Sequence, residues 1–206
     1  AARDEKIANA KTAAIRKKLI AELEQTNPTL FEEFLQESRR GQAANHLVRA
    51  SGRYPLCATG KINTYSIFAV LFRSSIAHEG RMGLIVPTGL FTGATTQDFA
   101  QEVLSTRSLA AFLDFRNEGF FEGVASSQGV RFAVVVITRH SLEEPGRLLF
   151  GGTSITDAGD RKRVLELHAD DILLLNPNTG TLPTFRSKRD ADIGGGEDRR
   201  IVDAVA

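Results

Sequence analysis

The sequence predicts an α/β domain preceded by a pair of charged helices. Three observations carry this. Between residues 63 and 140, segments with apolar residues at helical spacing alternate with short continuous apolar runs. Those runs are rich in Val, Ile, Leu and Phe, as in "MGLIVP" (82–87) and "VRFAVVVITRH" (130–140), which is strand composition. The first fifty residues are instead rich in Ala, Lys, Glu and Leu, which favour helix.

The elements follow in order. Residues 4–25 place Ile7, Ile15, Leu19 and Leu23 at helical spacing. Thr26-Asn27-Pro28 stops that helix and starts a second, because proline is tolerated in a first helical turn. The second helix has Leu30, Phe31, Phe34 and Leu35 on one face and runs past Gly41 to Arg49. Residues 1–50 thus form a helical hairpin, and Gly and Pro mark 51–61 as a loop. Asn63 caps a helix over 64–79, with Tyr65, Phe68, Phe72 and Ile76 as its core stripe, and Gly80 ends it. Residues 82–87 read as a strand buried on both faces, 95–106 as a helix, and "SLAAFLDF" (108–115) as a second buried strand. The loop "EGFFEGVASSQG" (118–129) precedes the strongest strand signal, 130–140.

Helix–strand–helix–strand–loop–strand implies a parallel sheet, its final strand free to turn back antiparallel. It is about half of an open sheet covered by helices, and a first strand with a cofactor loop is not visible. Residues 51–150 make up this α/β part. Within 151–206 and just before it, "RLLFGGTSI" (147–155) reads as an edge strand, and "ADDILLLNPNTGTLPTFRSKRD" (169–190) as a short helix or strand followed by a turn-rich connector. "DIGGGEDRR" (192–200) reads as a linker.

Composition narrows the function by exclusion. Lys+Arg 26 against Asp+Glu 25 gives a formal charge of +1, so the overall balance names no partner. The single cysteine, Cys57, excludes an intrachain disulfide and a cysteine-rich zinc site. His46, His78, His140 and His168 lack metal-ligand spacing, so no metal is expected. No apolar run has the length of a membrane span and no leader pattern opens the chain, so a cytoplasmic setting is expected. The start Ala1-Ala2-Arg3, with Met82 the only methionine, and the apolar end "IVDAVA" read as the ends of a piece of something longer.

The common chemical motifs are missing. No Gly-rich turn follows a strand and opens a helix, and there is neither a G-x-S-x-G nor a P-loop. Ser126 and Ser127 have His140 in sequence reach but no oriented acid. Asp114 stands at a strand end, where α/β sites gather, and reads as a carboxylate satisfied by loop amides. "NPNT" (176–179) resembles the Asn-Pro-Pro-aromatic motif of amino-group DNA methyltransferases. It lacks the second proline and the aromatic and follows the last strand, so it reads as a structural turn.

The central block resembles a known family. "GKINTYSIFAVLF", "HEGRMGLIVPTGLFTGATTQDF" and "LAAFLDFRNEGFFEGVASSQGVRFAVVVI" are similar, in order and spacing, to the second half of the catalytic domain of adenine-specific DNA methyltransferases. The group they most resemble is the large single-chain enzymes of restriction-modification and phage defence. Asn63-Thr64-Tyr65 opening a helix, "EGRMGLIVP" (Glu79 standing where Gly is usual), the "LDF" strand and the Phe-containing loop carry the similarity. "NPNTGTLPTFRSKRD" also resembles the connector that precedes the target-recognition region in those enzymes. The resemblance spans about residues 1–192.

The resemblance implies the C-terminal half of a Rossmann-like class I methyltransferase domain, with the helical hairpin as an insertion. It implies methyl transfer from S-adenosylmethionine to the exocyclic amine of an adenine rotated out of double-stranded DNA. Because the cofactor cradle and the catalytic tetrapeptide would precede Ala1, the chain alone is expected to hold no cofactor and to be inactive, and no catalytic residue is assigned within it. Phe121, which begins an "F-x-x-V" run, would stack on the extruded adenine, and Phe120 would plug the core. Arg186, Lys188 and Arg189 in the connector are weaker candidates for phosphate contact, beside Arg161, Lys162 and Arg163 and the hairpin's Arg39 and Arg40. Two other readings compete: a non-catalytic DNA- or protein-binding module derived from a methylase, and an unrelated α/β nucleotide-binding enzyme.

Overall fold

The structure, a computed structural model, describes residues 3–122 and 130–183. The chain divides into two compact units, residues 1–53 and 54–206.

The first unit is helical: α1 Glu5–Ala8, α2 Ala13–Thr26 and α3 Pro28–Ala50. The expected first helix is broken in two, because Thr12 turns its hydroxyl to the Ile15 amide (3.2 Å) and starts a new helix there. Asn27 ends α2 and caps α3, its side chain accepting from the Leu30 amide at 3.1 Å, with Pro28 in the first turn as expected. Ile7, Leu23 and Val48 are buried, while most other positions are exposed.

The second unit holds α4 Thr64–Ser75, β1 Arg81–Pro87, α5 Gly89–Thr92, α6 Gln97–Ser105, β2 Leu109–Arg116, β3 Arg131–Thr138, β4 Gly146–Gly152, β5 Leu165–Leu167 and α7 Ala169–Leu175. The strands form one mixed sheet in the order β1-β3-β2-β4-β5. This α/β arrangement is compatible with a Rossmann-like domain. β3 turns back and inserts antiparallel between β1 and β2, which themselves run in one direction. β4 is parallel to β2, and β5 is antiparallel to β4. The sheet is therefore mixed, the 130–140 strand turning back as the sequence allowed, and the segment read as an edge strand is interior. The edge on that side is β5, whose three residues are too few to give a period-2 signal.

The main core lies on one sheet face. Phe112, Ala133, Val135, Ile137 and Leu148 meet Ala69 and Val70 of α4, Leu90 and Phe91 of α5, and Phe99, Val103 and Leu104 of α6. A smaller cluster on the other face holds Phe115, Phe132 and Leu149, with Leu113, Phe120, Val134 and Ala158 against it. β1 was expected to be buried on both faces. It is instead an edge strand with every second residue exposed, Ile85 at 65%.

α4 also departs from its expected orientation, and it stops at Ser75 rather than running to Glu79. It buries Ser66, Ala69, Val70 and Arg73, while Phe68 (53%) and Phe72 (42%) face outward and stack on each other. Small residues let the helix approach the sheet, and Arg73 needs the interior. Its guanidinium grips Glu102 of α6 with two 3.2 Å bonds, the Thr138 carbonyl of β3 at 2.6 Å and the Thr106 hydroxyl at 3.2 Å. A buried cation with every nitrogen engaged is tolerated where an unpaired one is not.

After β4 the chain turns through a short 3-10 segment, Ile155–Gly159. The Asp157 carboxylate accepts from the amides of Thr153 (2.8 Å) and Ser154 (3.0 Å) and pairs with Arg163. These amide bonds, and secondarily Arg163, lower its pKa from 3.8 to about 2. A depressed carboxyl contributes stability that is complete above the unfolded value and is lost as pH falls through the folded one. The turn is thus expected to be fully held above pH of about 4 and to loosen progressively as pH falls toward about 2. In an NMR titration the Thr153 and Ser154 amides should move with the Asp157 midpoint; a midpoint near 4 would contradict this, and Asp157→Asn should abolish the transition.

Candidate functional site

Because β1 and β2 run in one direction, both end at the same rim of the sheet, where β3 begins. Pro87 pairs with Phe132 and Arg116 with Arg131 across the ladder. The C-terminal rim is where open α/β sheets place their sites.

Asp114 stands at this rim, fully buried. It accepts from the Thr88 hydroxyl (2.7 Å), the Gly151 amide (2.8 Å) and Arg131 Nε (3.1 Å), and pairs with a second Arg131 nitrogen. It is a satisfied carboxylate, but a guanidinium and a hydroxyl supply most of the satisfaction, and the one amide that contributes belongs to a strand rather than to a loop. Thr88 follows β1, Arg131 opens β3 and Gly151 lies in β4, so one side chain fastens the ends of four strands. With both oxygens engaged, Asp114 is structural rather than a free acid or base.

The loop after β2 answers why two aromatics stand in a polar stretch. Asn117 extends the β2–β3 ladder by one rung, its amide donating to the Val130 carbonyl at 3.0 Å. Gly119, at φ 91°, supplies the left-handed turn that a side chain would resist. The two rings then part. Phe120 is half-buried and packs on Phe115 (5.4 Å between centroids) and Phe132 (5.2 Å). Phe121 is 43% exposed and makes an edge-to-face contact with Phe132, at 4.9 Å and 76°.

Phe121 is held by its backbone. The Asn117 carboxamide oxygen accepts from the Phe121 amide at 2.9 Å, and its nitrogen donates to the Phe121 carbonyl at 3.5 Å. Asn117 is only 4% exposed. Sequence reasoning passed over Asn117 and Arg131. The available signal was an Asn four residues before Phe121 at the head of a Gly-containing turn, a position where its side chain competes for loop amides.

The other candidates are dispersed. Arg186, Lys188 and Arg189 lie outside the described residues, as do Ser126 and Ser127. Arg161 and Lys162 are exposed, whereas Arg163 is committed to Asp157 and to the Gly151 carbonyl (3.2 Å). Arg39 and Arg40 are exposed on α3, Arg40 pairing with Glu37. Asn176 of "NPNT" spends its side chain on the Thr181 carbonyl (3.2 Å) and hydroxyl (2.9 Å), closing a turn after α7, as expected. His140 follows the far end of β3, at the opposite rim of the sheet from the Phe loop. Cys57 is buried, and desolvation pushes its thiol pKa up against a smaller opposing effect of the Ser66 hydroxyl, which suits packing rather than nucleophilic chemistry.

Among the described residues no group of three or more His, Cys, Asp or Glu side chains could hold a metal ion. No helix among them is long and apolar enough to cross a membrane. The β1–α5 turn, the strand-to-helix turn at the rim, has one glycine, Gly89. A Cβ there would meet only the Tyr65 hydroxyl, at 4.0 Å. No protein-family model matches the chain, and no curated protein matches it.

Proposed function

We propose that this chain is the second half of the catalytic domain of an adenine-specific DNA methyltransferase of the single-chain restriction-modification or phage-defence type. In this reading Phe121 is one wall of the pocket for an adenine rotated out of double-stranded DNA. The observation that carries it is the parting of the two phenylalanines at the C-terminal rim: one packs, and the other is pinned by its backbone with 43% of its surface exposed. An aromatic held outward at such a rim suits stacking on a flat base.

Two further features fit a half-domain. Among the described residues β1 pairs on one side only, with Ile85 exposed. α4 presents Phe68, Leu71 and Phe72 outward on a helix whose only charged residue, Arg73, is buried. These are surfaces the cofactor-binding half of the domain would cover. That half would also supply the S-adenosylmethionine cradle and the Asn-Pro-Pro-aromatic segment, so the 206-residue chain by itself is inactive in this reading.

The test uses the complete polypeptide. Stacking on a base contributes about 1–3 kcal/mol, so Phe121→Ala is expected to lower methyl transfer to duplex DNA by about 5- to 150-fold. Because the ring is half exposed, the thermal midpoint should stay close to that of the unsubstituted protein. Unchanged turnover would sink the adenine-wall role of Phe121, and no methyl transfer by the unsubstituted complete polypeptide would favour a non-catalytic binding module derived from a methylase.

A further inference from the structure

We propose that Asn117 is a positioning residue for Phe121, an inference that rests on the adenine-wall reading above. The Asn117 backbone amide already completes the ladder rung to Val130, so strand pairing does not need the side chain. The two hydrogen bonds of the carboxamide go to the amide and the carbonyl of a single residue, Phe121. A carboxamide only 4% exposed that spends both its ends on one loop residue fixes that residue's φ and ψ and so the exit direction of its ring. Among the described residues Phe121 has one ring contact, with Phe132, which sets its distance from the sheet but leaves its tilt open. Asn117 supplies the second constraint. The loop therefore presents the ring in one orientation before a base arrives, and binding does not have to order it.

Two arms test this. In the 206-residue chain, hydrogen exchange read by NMR should show the Phe121 amide protected, and unprotected in Asn117→Ala. Asn117→Asp, which keeps the accepting oxygen, should retain protection. Leu113 and Val134, paired in the β2–β3 ladder, should stay protected throughout and report that the sheet is folded. In the complete polypeptide, methyl transfer to duplex DNA should fall about tenfold in kcat/KM for Asn117→Ala and recover to within about twofold for Asn117→Asp. The Asn117→Ala/Phe121→Ala double variant should be no worse than Phe121→Ala alone, because a residue that acts only through another adds nothing once that other is gone.

Additive losses in the double variant overturn the inference, as does a Phe121 amide equally protected in Asn117→Ala. Loss of Leu113 and Val134 protection in both Asn117 variants would make Asn117 a general structural residue and overturn it too. If Phe121→Ala alone leaves turnover unchanged, the adenine reading has failed and the functional role of Asn117 falls with it, while the exchange arm still decides whether the clamp exists.

Discussion

Replacing Asp114 with alanine is expected to destabilise the α/β unit by about 3–5 kcal/mol, the range for breaking a buried ion pair from one side. The change strands three groups at once. The Gly151 amide and the Thr88 hydroxyl lose their acceptor, and Arg131 keeps its charge without a partner. Arg131 is about one-third exposed and recovers some hydration, which moves the expectation toward the lower end of that range. Asp114→Asn should cost less, since a carboxamide oxygen still accepts one bond. Pairing Asp114→Leu with Arg131→Met should recover part of the loss, because no buried charge is then left alone. Urea unfolding midpoints with unchanged slope would measure these differences. A loss under 1 kcal/mol for Asp114→Ala would show that the rim is held by packing instead.

Phe112→Ala should have an effect of similar size by a different route, about 3–5 kcal/mol for deleting a fully buried aromatic. Phe112 lies on the same face of β2 as Asp114, with ring centroids 5.6 Å from Phe91 and 5.9 Å from Phe150. Its removal opens a cavity between the sheet and α5 that close-packed neighbours fill only in part. It also deletes two ring–ring contacts, each contributing about 0.5–1.5 kcal/mol beyond buried area. Phe112→Leu keeps most of the volume and should cost clearly less. Equal losses for Leu and Ala would mean that shape, not volume, governs this part of the core.

Phe112 and Asp114 also mark how far the sequence could be read. The apolar run "SLAAFLDF" announces a buried strand, and Phe112 in the core follows from it directly. Asp114 sits in the same run, and its rim position was legible, but its partners come from 26, 17 and 37 residues away. No local pattern encodes a guanidinium arriving from a different strand. The loop behaves likewise: that Phe120 and Phe121 differ was implied only by the family resemblance, and the Asn117 clamp depends on how the turn folds.

By itself the sequence determined the helical first unit, the alternation of helix and strand and the turn at 176–179. These are properties of short windows: periodicity, capping residues and Gly or Pro at turns. Tertiary structure alone decided that β3 lies antiparallel between β1 and β2, that 146–152 is interior, and that α4 turns Phe68 and Phe72 outward. An apolar run reads the same in either direction, so hydrophobicity cannot set strand polarity or neighbour. A helix with apolar residues on two sides can dock by either. In α4 the close approach permitted by Ser66 and Ala69, and the polar partners that only the interior offers Arg73, outweighed the larger area of the two phenylalanines.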